Sequence, residues 1–129
     1  MDRQLTSVFG FQYHLVDSKP NLRSVINYPM QANCAEMLRL ATSWATEKGI
    51  KVCAPVHDAL SIESDGKDIE DAVRVTQLIM ERASQKVLGD FKIRTDASIV
   101  RYPDRYMDKR GLEMWNLVSN FIGGDSSVQ

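Results

Sequence analysis

The chain has 129 residues, of which 43% are hydrophobic and 26% are charged, and its formal net charge is -1. This is the size and composition of one ordinary soluble domain, without the basic excess expected of a free-standing nucleic-acid-binding protein. No apolar run approaches the ~18 residues of a membrane span, and the N-terminus has no signal-peptide pattern. We therefore expect a cytoplasmic protein with no membrane partner. The two cysteines, Cys34 and Cys53, are expected to be buried, reduced thiols.

The N-terminal part of the chain contains a strand pattern followed by a helix pattern. Residues 5–16 are rich in aromatic and β-branched side chains and predict one or two strands, broken near Gly10. A helix is expected from about Pro29 to Lys48, because apolar residues recur there at helical spacing and proline suits a first helical turn. Gly49 should end this helix as a left-handed cap.

A β-hairpin pattern comes next. Residues 50–56 are mostly β-branched or apolar and residues 59–64 alternate between apolar and polar, which predicts two strands. His57 and Asp58 lie at the bend between them. Pro55, inside the first strand, predicts a bulge or an unpaired position there.

The rest of the chain predicts two more helices and one more strand. The helices are expected over residues 68–88 and about 111–122, and the strand over residues 91–100. The element order predicts an α+β fold in which helices cover an antiparallel sheet with a central β-hairpin. We expect residues 1–122 to form one domain and residues 123–129 to form a flexible tail.

His57 and Asp58 are the first candidate functional residues. An Asp at a bend usually hydrogen-bonds nearby backbone amides, and this is the structural alternative. The apolar flanks nevertheless hold this bend on a sheet, and a carboxylate fixed at such a tip can bind a hard cation such as Mg²⁺. Two-metal phosphoryl transfer needs at least two carboxylates, with ions about 3.5–4 Å apart, so Asp58 alone is not enough.

A second candidate group is polar and has a regular spacing. It consists of Arg23, Asn27 and Gln31. These residues can form a solvated helix edge, with Asn27 as a helix cap. Alternatively, they can donate hydrogen bonds to purine N3 and pyrimidine O2, which the DNA minor groove presents at similar places for every base pair.

Together these segments resemble the family A DNA polymerases, the bacterial DNA polymerase I type. The segment from Arg23 to Ala41 (RSVINYPMQANCAEMLRLA) is similar to the family's R-x-x-x-N-x-P-x-Q segment, which opens a palm helix. The segment from Ala54 to Ser64 (APVHDALSIES) is similar to motif C, a hairpin that normally bears His-Asp-Glu. Ser7 to Phe11 (SVFGF) resembles the strand that leaves the fingers, and the resemblance extends over about residues 6–100.

The resemblance implies a role for each candidate residue. Asp58 would be one of two metal-binding catalytic aspartates, and His57 would lie beside the primer terminus. The residues that would hold the primer-template near the active site are Arg23, Asn27 and Gln31. Ala59 stands where the family usually has Glu, so a carboxylate of the outer part of the site is missing.

No segment resembles the family's motif A, which supplies the other catalytic Asp, or its nucleotide-binding fingers helix. The resemblance therefore implies a palm segment of a template-directed DNA polymerase that is inactive alone and binds Mg²⁺ only in the complete enzyme. Its partners would be primer-template DNA and the missing upstream polymerase segment. An exposed sheet edge in such a segment predicts a possible homo-oligomer. The alternative is a non-catalytic palm remnant that binds DNA or protein, with Asp58 idle.

Overall fold

The computed structural model describes residues 4–15 and 21–122, which adopt the predicted α+β fold. The elements are β1 (Gln4–Thr6), β2 (Gln12–His14), α1 (Leu22–Glu47), β3 (Lys51–Val56), β4 (Ala59–Glu63), α2 (Ile69–Val87), a 3-10 turn (Lys109–Gly111) and α3 (Leu112–Phe121). The strands of the described residues form two separate antiparallel pairs, β1–β2 and β3–β4, not one sheet. The chain divides after Ala97 into two compact units. The predicted tail, residues 123–129, lies outside the described residues.

Helix α1 begins earlier than the sequence predicts. Asn21 caps it, because the Asn21 side chain accepts a hydrogen bond from the Arg23 backbone N–H at 3.0 Å. Pro29 therefore lies inside the helix, where its ring removes one backbone donor. The end of the helix is as predicted, since Gly49 has a φ of 80° and forms the left-handed cap.

The core of the first unit lies between α1 and α2. Its buried centre consists of Ala41, Ala45, Ile79 and Ala83. The alanine side chains are short, so the two helices can approach closely. Val52 of β3 and Leu60 of β4 pack against the same centre, which fixes the β3–β4 hairpin to the helices.

The N-terminal hairpin is joined to α1 by side-chain hydrogen bonds. The predicted break near Gly10 is confirmed, because Gly10 lies in the loop between β1 and β2 with a φ of 88°. The Tyr28 hydroxyl donates to the Phe11 carbonyl at 2.8 Å, and the Ser7 hydroxyl donates to Glu36 Oε1 at 2.8 Å. These two bonds attach the hairpin to α1 near its N-terminus, at Tyr28, and near its middle, at Glu36.

The strand predicted over residues 91–100 is wrong, because this segment is irregular. Its backbone groups bond to side chains of α2. The Ile93 N–H donates to Ser84 Oγ at 2.9 Å, and Gln77 Nε2 donates to the Thr95 carbonyl at 2.7 Å. These bonds satisfy groups that a strand would pair with a neighbouring strand.

The second unit contains the 3-10 turn and α3. Asp108 caps the turn by accepting from the Arg110 backbone N–H at 2.9 Å. Most apolar side chains of α3 are exposed, among them Trp115 and Phe121. No helix in the described part of the chain is long and apolar enough to cross a membrane.

Candidate functional site

The turn of the β3–β4 hairpin consists of His57 and Asp58, as the sequence predicts. Val56 pairs with Ala59 directly across it, so the connection has two residues. Both turn side chains are exposed. His57 has a φ of 55°, in the left-handed region, which costs a non-glycine residue about 1–2 kcal/mol. The two-residue turn itself imposes this conformation, because the common turns of that length need a positive φ at their first central residue.

The β3–β4 hairpin carries a bulge in its first strand. The pairing register shifts between Val52 and Ala54, so Cys53 is the extra residue of the bulge. The sequence predicts the irregularity two residues later, at Pro55. A bulge re-aims nearby side chains. Cys53 is exposed, and so is Cys34, so the expectation of two buried thiols is wrong.

Arg23, Asn27 and Gln31 lie on successive turns of α1 because the helix already begins at Leu22. Residues four apart are neighbours on one helix face, so the three side chains form a row about 12 Å long. We call these three residues the donor row. All three are exposed, and their side chains have no hydrogen-bond partner among the described residues. The alternative in which Asn27 caps the helix is wrong, because Asn21 is the cap.

Beside the donor row, α1 presents an apolar row that sequence reasoning missed. It consists of Leu22, Ile26 and Met30, which are 70%, 74% and 73% exposed. The spacing of four and four was visible in the sequence. The signal was missed because the helix was expected to begin near Pro29, which leaves Leu22 and Ile26 outside it. Exposed apolar side chains in a continuous row indicate a surface that contacts another molecule.

The β3–β4 hairpin lies against the helix that carries the donor row. β3 is in contact with α1, and Val52 and Leu60 pack on the core between α1 and α2. The two candidate groups therefore belong to the same compact unit.

Asp58 provides one carboxylate at the turn of the β3–β4 hairpin. The other carboxylate of the hairpin, Glu63, lies at its opposite end, where it faces Lys51 with 4.0 Å between Nζ and Oε1. Across residues 4–15 and 21–122, no group of three or more His, Cys, Asp and Glu side chains could jointly hold a metal ion. The role of Asp58 as a metal ligand stays a prediction.

The comparisons with known proteins find no match. No family model matches the chain, no curated protein matches its sequence, and no solved structure matches its fold. The resemblance to the family A DNA polymerases therefore rests on the motif residues alone. It stays a prediction.

Proposed function

We propose that this chain is the C-terminal palm segment of a family A DNA polymerase. It acts in the cytoplasm on primer-template DNA, together with an upstream segment of the same enzyme. The observation that carries the proposal is the position of Asp58, which is exposed at a two-residue turn of a hairpin packed on two helices. A polymerase needs a carboxylate at a fixed position, and such a hairpin provides one.

Asp58 and His57 have separate roles in this proposal. Divalent ions such as Mg²⁺, when bound in the complete enzyme, stabilise charge on the attacking and leaving oxygens. Asp58 supplies one carboxylate for them, and the upstream segment supplies the other. His57 lies beside the primer terminus, at the exposed turn next to Asp58.

The donor row binds the primer-template in the minor groove. Its three side chains offer hydrogen-bond donors along about 12 Å of helix, and none is engaged by another described residue. Purine N3 and pyrimidine O2 accept hydrogen bonds at similar positions in every base pair. Such contacts report the shape of a base pair without preferring a sequence, which a template-directed enzyme requires.

A non-catalytic palm remnant is the second candidate, and Ala59 is the observation that favours it. Ala59 follows Asp58 directly and is exposed, so the turn has no neighbouring carboxylate to help hold a metal ion. In that case the donor row still binds DNA, and Asp58 takes no part in a reaction. The substitution Ala59→Glu separates the candidates, because it raises nucleotide incorporation only where Asp58 takes part in chemistry.

The test is primer extension by complementation. The chain is mixed with a separate polypeptide that carries the fingers and motif A of a family A polymerase, with primer-template DNA, deoxynucleotides and Mg²⁺. We expect extension from the mixture and none from either component, because the chain alone has one metal-binding Asp and no nucleotide site. Robust extension by the chain alone would contradict the proposal. So would a mixture in which the polypeptide binds the chain but no primer is extended.

Without its partner segment, the free edges of β3 and β4 are expected to pair with a second copy of the chain.

A further inference from the structure

Residues 101–110, RYPDRYMDKR, contain a short repeat that the palm proposal does not use. The pattern Arg-Tyr-x-Asp occurs twice in succession and is followed by Lys-Arg. It places a positive charge beside an aromatic ring at each repeat. We call residues 101–110 the repeat segment.

Both tyrosine rings of the repeat segment are exposed. Tyr102 is 97% exposed and Tyr106 is 74% exposed. The Asp104 N–H donates to the Arg101 carbonyl at 2.8 Å, which closes a turn with Tyr102 at its corner. Aromatic rings of this size usually bury most of their surface, so two nearly free rings in one segment are available to a ligand.

The charges of the repeat segment divide into engaged and free groups. The Arg110 guanidinium is engaged by Asp108, with Nε 3.1 Å from one carboxylate oxygen, and this contact lowers the pKa of Asp108 to about 2. Asp108 thus stays ionised and paired with Arg110 over the whole physiological pH range. The side chains of Arg105 and Lys109 have no hydrogen-bond or ion-pair partner among residues 4–15 and 21–122. Two free cations therefore accompany the two exposed rings, together with the exposed carboxylate of Asp104.

We propose that the repeat segment is a binding site for single-stranded nucleic acid. Bases stack on Tyr102 and Tyr106, and the phosphates between them contact Arg105 and Lys109. Single-strand binding surfaces combine such stacking rings with cations that follow the backbone. Four residues span at most about 14 Å, so both rings fall within the footprint of a short strand of about 4 nucleotides or more. A duplex does not fit as well, because its bases are already stacked on each other. The site does not depend on the palm proposal.

The experiment measures fluorescence anisotropy of a labelled oligo-dT probe titrated with the full chain at several salt concentrations. We expect the chain to bind the probe more tightly than a duplex of equal length. Tyr102→Ala should weaken binding about tenfold, since stacking on one ring contributes about 1–3 kcal/mol per base. Tyr102→Phe should bind like the unchanged chain, because it keeps the ring. Arg105→Gln should lower the salt slope by about 0.7, as expected for one lost phosphate contact on a single strand.

Two controls separate this site from general attraction to charge. Arg82→Gln removes an exposed arginine from α2, and Lys86→Gln removes an exposed lysine from the same helix. Both should leave binding of the oligo-dT probe nearly unchanged. The proposal is wrong if either control weakens binding as much as Arg105→Gln, or if Tyr102→Ala binds normally. It is also wrong if the probe does not bind, or if Tyr102→Ala weakens binding of the duplex as much as binding of the probe.

Discussion

Ser7 donates its hydroxyl to the carboxylate of Glu36 at 2.8 Å, which joins the loop of the β1–β2 hairpin to the middle of α1. Glu36 is only 6% exposed. Its second oxygen accepts from Arg39, with Nε at 3.1 Å, so both carboxylate oxygens are satisfied. A buried carboxylate is tolerated when it is paired and hydrogen-bonded in this way. The contact holds the first hairpin against the helix that carries the donor row.

Removing the hydroxyl of Ser7 should destabilise the first unit. A hydrogen bond to a charged group contributes about 1.5–3 kcal/mol, so we expect Ser7→Ala to lower the free energy of unfolding by about 2 kcal/mol. The matched control is Ser43→Ala, whose exposed hydroxyl only bonds the Arg39 carbonyl of its own helix. It should change stability by less than about 0.5 kcal/mol. Denaturant unfolding of both variants tests this, and equal effects would contradict it.

The stability that Glu36 contributes should depend on pH. The hydrogen bond from Arg39 is the main cause that holds the pKa of Glu36 below its ordinary value of 4.5. A depressed pKa in the folded state stabilises the fold above the unfolded pKa and ceases to do so as pH falls through the folded pKa. We expect the chain to be more stable than Glu36→Gln at pH 7 and to lose this advantage below about pH 4.5. An advantage of the same size at pH 3 and pH 7, in unfolding experiments, would contradict the assignment.

The β3–β4 hairpin was predictable because its signals are local. Residues 50–56 are mostly β-branched or apolar, residues 59–64 alternate, and the turn falls between the two runs at the polar pair His57 and Asp58. The position of the bulge at Cys53 was not predictable in the same way. Pro55 marks a place where pairing is weakened, but the register is set by how Val52 packs against the helices, which no local pattern contains.

The start of α1 and the segment after α2 were not predictable for different reasons. Pro29 is typical of a first helical turn, but the cap at Asn21 and the contact of Tyr28 with the first hairpin stabilise two earlier turns. The ring of Tyr28 also stacks on Tyr13 with centroids 5.2 Å apart. Residues 91–100 alternate as a strand does, yet side chains of α2 take up their backbone groups. Both outcomes depend on contacts between residues far apart in sequence.

The strained backbone of His57 should lower the free energy of unfolding, and a glycine at this position should remove that cost. Glycine adopts positive φ without the steric cost, so we expect His57→Gly to leave stability unchanged or raise it by up to about 1 kcal/mol. Lys67→Gly is the matched control, since Lys67 is also an exposed turn residue but its φ is not positive. It should lower stability by up to about 1 kcal/mol. If His57→Gly lowers thermal stability as much as Lys67→Gly, the backbone of His57 is not strained.

Arg23, the charged member of the donor row, should contribute more to primer-template binding than the neutral Gln31. A hydrogen bond from a charged donor is worth about 1.5–3 kcal/mol and one from a neutral donor about 0.5–1.5 kcal/mol. In the complemented polymerase we therefore expect Arg23→Ala to weaken primer-template binding more than Gln31→Ala, without a preference for sequence. Ser24→Ala, exposed on the same helix but off the row, is the control and should bind normally. Titrations with primer-templates of several sequences measure this, and normal binding by both row variants would rule out the interface.

The most direct test of the palm proposal is the single-turnover rate of nucleotide incorporation by Asp58→Ala in the complemented polymerase. Metal clamping acts mainly in the transition state, so we expect the rate to collapse while the affinity for primer-template DNA stays close to that of the unchanged chain. Asp96→Ala, which removes an exposed carboxylate from the irregular segment after α2, is the control and should keep both. A near-normal incorporation rate for Asp58→Ala would contradict the account.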